Sequence, residues 1–79
     1  MSKESVQAIL EVLQQSPEPL GWHGIAMRLG QRGVIIGGNL VLLLRELEQQ
    51  GLLLHGQATG HPHGVYTLTE LGRRQIDVR

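Results

Sequence analysis

Along this chain the apolar residues change their period once, at Leu52, and that switch limits the fold more than any other feature. Before it they recur at i, i+3, i+4 and i+7, the stripe of a helix packed on one side. After it they alternate in two short runs, the pattern of paired strands with one covered face. Helical stripes and an alternating pair can hide their apolar sides together only by closing on a shared interior. The expectation is an α+β domain, mainly α, that takes in all of residues 1–79. Neither a long linker nor an internal repeat divides it.

The first stripe is Val6, Ile9, Leu10 and Leu13, on a helix over Lys3–Gln15 that Ser2 or Ser5 is placed to cap. Ser16-Pro17-Glu18-Pro19 ends it, because proline lacks the backbone donor and pushes its predecessor out of helical geometry. Trp22, Ile25, Ala26 and Leu29 predict a short second helix, Trp22–Leu29, with Trp22 as core anchor and Gly30 as terminator. Gly30 to Gly38 reads as either a loop or an irregular helix start. Leu40, Leu43, Leu44 and Leu47 then mark a third helix, Asn39–Gln50, stopped by a left-handed Gly51.

The runs Leu52–Gln57 and His63–Thr69 flank Ala58-Thr59-Gly60-His61-Pro62 as a hairpin. Pairing Leu52 with Leu68 and Leu54 with Tyr66 turns all four side chains toward the helices. Thr69 is placed to cap a final helix through Leu71 and Ile76.

The absence of cysteine rules out disulfides, thiolate metal sites and cysteine nucleophiles, and it suits the cytoplasm. No segment approaches the roughly 20 apolar residues of a membrane span, and Met1-Ser2-Lys3-Glu4 does not open a signal peptide. The expectation is therefore a cytoplasmic protein with no membrane partner. Ser2, Ser5 and Ser16 lack the strained turn that exposes a nucleophilic serine, and Gly37-Gly38 lacks the Gly-Lys-Ser/Thr of a phosphate loop. That pattern points to a binding module without a cofactor, not to an enzyme.

In the register above, His55 and His63 share the outer face of the hairpin, with His61 at its tip. Three imidazoles suit zinc, but a Gly- and Pro-rich tip offers few groups to hold the rings, so solvated histidines are preferred and no metal is assigned. Seven basic residues are balanced by seven acidic ones, whereas nucleic-acid modules are usually basic. The four histidines add positive charge in mild acid, imidazole ordinarily titrating at about pH 6.5.

Two segments resemble known families. Leu44-Arg45-Glu46-Leu47-Glu48-Gln49-Gln50-Gly51-Leu52-Leu53 is similar to the L-x-x-L-x-x-x-G-L ending of winged-helix recognition helices. Val65-Tyr66-Thr67-Leu68-Thr69-Glu70-Leu71-Gly72-Arg73 is similar to the Y-x-L-T-x-x-G that closes their wing. With their spacing, these segments resemble the winged helix-turn-helix cores of the multiple-antibiotic-resistance and phenolic-acid-decarboxylase repressor families.

The resemblance implies three helices plus a two- to three-stranded wing, and double-stranded DNA as partner, read by the amino end of the third helix. Carried over by position, the groove-facing residues are Gly38, Asn39, Val41 and Leu42, with Gln31 and Arg32 just before them, while the wing offers Gln57, Thr59, His61 and His63. This chain departs from the pattern at Val41 and Leu42, where such families commonly place Ser, Thr, Arg or Lys, and in a wing without Lys or Arg.

Two functions follow from these readings. The first is a DNA-binding transcriptional regulator or mobile-element accessory protein, acting as a cytoplasmic homodimer. The alternative is a protein interaction module without DNA binding, docking or self-associating through Val34, Ile35, Ile36, Val41 and Leu42, a segment apolar enough to mark a partner surface.

Overall fold

A computed structural model of the chain describes residues 3–36 and 39–76. The elements run α1 (Lys3–Gln15), α2 (Trp22–Gln31), α3 (Leu40–Gln49), β1 (Leu53–Ala58), β2 (His61–Leu68) and α4 (Glu70–Gln75). The expected helical stripes converge: Ile9, Leu10, Ile25, Leu29, Leu44 and Leu47 are all essentially inaccessible to solvent. In α1 burial is broader than one stripe, taking in Ala8 and Val12, because this helix packs against α2, β2 and α4 at once. Ser5 lies inside α1 instead of capping it, and Ser2 falls outside the described residues.

Both α2 and α3 end in the same left-handed turn. After α3, Gly51 (φ 81°) donates to the Glu48 carbonyl and Leu52 to that of Leu47, the reverse-turn cap that satisfies the last carbonyls and folds the next apolar side chain back onto the helix. After α2, Gly33 (φ 76°) and Val34 do the same to Gly30 and Leu29. The expected terminator, Gly30, lies within α2, and the helix continues to Gln31 because the left-handed residue is Gly33.

This cap also shifts the hairpin by one residue from the expected register. The pairs are Leu53↔Leu68, Leu54↔Thr67 and His55↔Tyr66, not Leu52 with Leu68 and Leu54 with Tyr66. Leu52 is buried by the turn that closes α3, so strand alternation starts at Leu53 (1% exposed) and turns Leu54 (63% exposed) to solvent. The strands also run closer to the tip than expected, leaving Thr59 and Gly60 as the turn, with a bulge between Gly56 and Ala58. Leu20 pairs with Tyr66 through two main-chain hydrogen bonds, a single-residue bridge beyond β2 that leaves the sheet two-stranded.

Two side-chain caps fix the starts of α3 and α4. Asn39 Oδ1 accepts from the Val41 and Leu42 amides at 2.9 and 3.4 Å, an N-cap worth about 1 kcal/mol. Thr69 Oγ1 accepts from Gly72 N at 2.9 Å, as expected, and it also lies 2.6 Å from the Gly51 carbonyl oxygen, to which it donates. One hydroxyl thus ties the start of α4 to the end of α3.

Candidate nucleic-acid interface

With Leu40, Leu43, Leu44 and Leu47 turned inward, helical spacing carries Val41, Leu42, Arg45 and Gln49 to the outer side of α3. Arg45 and Gln49 are exposed, Leu42 is 53% exposed and Val41 is half-buried. Among the described residues Arg45 makes no ion pair. It lies close enough to Tyr66 on β2 to act on its hydroxyl electrostatically. Burial pushes the Tyr66 hydroxyl up, Glu48 adds to that rise, and Arg45 opposes it. The guanidinium therefore sits where α3 meets the hairpin, a position suited to gripping a phosphate between them.

His55 stacks on Tyr66 at 4.7 Å between ring centroids, and its Nε2–H donates to the His63 carbonyl oxygen at 2.8 Å. This corrects the outer face assigned to His55. The one-residue register shift places the His55 ring with Tyr66, on the same face as Leu53. Among the described residues no three potential ligands come together to hold a metal ion.

The sequence-derived residues fall into three places. Asn39 and Leu42 line a groove of about 710 Å³ together with Ile35, Ile36 and the amino end of α1. His61 and His63 lie at the hairpin tip over the start of α2, with Gln57 and Thr59 exposed on the same hairpin. Gln31 and Arg32 sit at the far end of α2, beside Val12 and Gln15 of α1. Arg32 is held there by Glu11 at 3.0 Å and by the Gln15 side-chain oxygen. Gly38 lies outside the described residues.

Trp22, expected in the core, is 39% exposed and faces the hairpin tip. Arg45 and Gln49 are the outer-face residues that positional carry-over passed by. The complement of the leucine stripe points to both.

No family model and no curated protein matches this chain in sequence. Its backbone is similar to the X-ray structure of a transcriptional regulator of the MarR family from Rhodococcus sp. RHA1, with a TM-score of 0.71 and 25% identity over 92% of the chain. The fold is a winged helix. The chain spans about half (49%) of that regulator's length. In winged-helix terms, α2 and α3 are the helix-turn-helix, α3 stands in the recognition position, and β1–β2 is the wing. Among the described residues no helix is long and apolar enough to cross a membrane.

Proposed function

We propose that this winged helix is a binding module for duplex DNA, acting in transcriptional regulation or as an accessory protein of a mobile element, and that it is not an enzyme. The observation that carries the reading is the outer face of α3, where Arg45, exposed and without an ion pair among the described residues, stands beside the wing on a fold shared with a transcriptional regulator. Arg45 and the wing grip phosphates; Asn39, Val41, Leu42 and Gln49 meet the major groove, with Gln57, Thr59, His61 and His63 as the wing contacts. Gln31 and Arg32 flank this surface, and the Glu11 partner makes Arg32 the weaker phosphate contact.

Fluorescence anisotropy with labelled duplex across a salt series tests this. Arg45→Ala should weaken binding about tenfold and flatten the log–log salt slope by about 0.9, the loss of one phosphate contact. Arg32→Ala should do less. No binding by the wild type at about 50 mM salt and pH 6 would overturn the reading.

The proposal extends to a cytoplasmic homodimer, matching two-fold related half-sites on DNA. Self-association through Val34, Ile35 and Ile36, which leaves the groove-facing residues free, is favoured by one observation: Ile35 is 88% exposed at the groove beside the amino end of α1. A protein partner without DNA would use the same segment together with Val41 and Leu42. In sedimentation velocity the wild type should run as a dimer and Ile35→Glu as a monomer. A monomeric wild type at about 100 μM would exclude dimerisation at working concentrations.

A further inference from the structure

Between the start of α2 and the wing tip lies a cleft of about 460 Å³, separate from the outer face of α3 and walled by Trp22, His23, His61, Pro62 and His63. The two elements touch directly. A Cβ added at Gly21 would stand 3.3 Å from both His61 Nδ1 and the Gly64 carbonyl oxygen. Three exposed histidines line this cleft, and neither a carboxylate nor a Lys or Arg is among its lining residues.

The groups facing these rings are few. From α2, Trp22 meets His23 edge-on at 5.6 Å. From β1, His55 reaches only the main-chain oxygen of His63, and behind it stand Tyr66, Glu48 and Arg45. No lining carboxylate is present to neutralise a proton taken up by the three rings, so a counter-charge must come from outside the cleft.

We infer that His23, His61 and His63 form a proton-dependent clamp for a backbone phosphodiester of DNA, so that duplex binding tightens as the pH falls. The inference rests on the DNA-binding reading above. It follows from where the cations are: the wing has no Lys or Arg, and on α3 Arg45 is flanked by Glu46 and Glu48. Histidine is the side chain whose charge ordinarily changes between pH 5 and 8. A phosphate oxygen accepts from an imidazolium N–H and so stabilises the protonated ring. Binding therefore takes up protons and is tighter in mild acid than at higher pH.

The test is anisotropy of labelled duplex at constant ionic strength, at about pH 6 and about pH 8, for the wild type and for H23Q/H61Q/H63Q. The wild type should bind about 10- to 100-fold more tightly at the lower pH, from three exposed ion pairs. Its salt slope should steepen there by about 0.9, the neutralisation of one phosphate. The pH ratio of the triple variant should drop below about threefold whatever its absolute affinity, and circular dichroism reports its folding. H61Q/H63Q, which leaves α2 untouched, should give an intermediate ratio.

Equal wild-type affinity at both pH values, or a triple variant that keeps the wild-type ratio, overturns the clamp and leaves DNA binding standing. Absence of binding at either pH overturns both.

Discussion

Replacing Gly72 by alanine should lower the thermal midpoint by roughly 10–20 °C, the consequence of about 2–3 kcal/mol of overpacking in a domain of this size. Gly72 is buried in α4, and its Cα faces the main chain just past α3. A Cβ there would be driven into the Leu52 carbonyl oxygen and would stand 2.7 Å from Leu68 Cδ1. The carbonyl cannot give way, because it already accepts from Thr69 N at 3.1 Å and Leu52 N is committed to the α3 cap. Relief requires α4 to move off, and that breaks the Thr69 link and uncovers Ile76 (7% exposed). Thermal unfolding followed by circular dichroism measures the effect. A midpoint within about 3 °C of the wild type would mean that α4 is not held against Leu52.

The same contact gives physical content to the Thr69-x-x-Gly72 spacing, which the sequence offered only as a resemblance. Threonine caps the helix and reaches the Gly51 carbonyl; glycine three residues on lets the helix lie on that turn. Helix positions were legible because their stripes are long and clean. The hairpin's existence was legible too, but not its register: Leu52-Leu53-Leu54 is a run with no phase, so alternation can start at either of two residues. Only the closing turn of α3, which takes Leu52 for itself, decides.

Similar local ambiguity hid other features. Gly30 and Gly33 are equal candidates to end α2 until backbone angles distinguish them. Trp22 fits the helical stripe, yet it occupies the first turn, where its side chain meets the wing and not the core. The Arg32–Glu11 pair joins residues 21 apart in sequence, so no local spacing announces it. Arg45 is legible as one of several surface arginines open to a phosphate, but such residues are usually just solvated, and only its place beside Tyr66 sets it apart. The cleft of His23, His61 and His63 depends on the tip of the wing meeting the start of α2, a tertiary contact without a sequence period.

Gly64→Ala should loosen the wing by about 3 kcal/mol, since two independent costs meet at this position. The first is conformational: Gly64 has φ 79°, where a side chain costs roughly 1–2 kcal/mol. The second is steric, because a Cβ would lie 2.5 Å from the Gly56 carbonyl oxygen and 2.5 Å from His55 Nε2. His55 can swing aside by giving up its hydrogen bond to His63, but the Gly56 oxygen belongs to the paired strand and moves only if β1 and β2 separate.

The damage should therefore concentrate between residues 55 and 64, beyond the Leu53–Leu68 pair that anchors the hairpin to the core. Amide hydrogen exchange should read this as about 100-fold faster opening in the wing, with a smaller change in α1 and α3. Duplex affinity should fall with it, because the wing tip no longer rests on Gly21 and the phosphate-facing histidines lose their common frame. Uniform acceleration of exchange across the whole domain would contradict the local account and make Gly64 a determinant of global stability. Unchanged exchange in the wing would show that the strands absorb the extra carbon, and the tight packing at Gly56 and His55 would then have no energetic consequence.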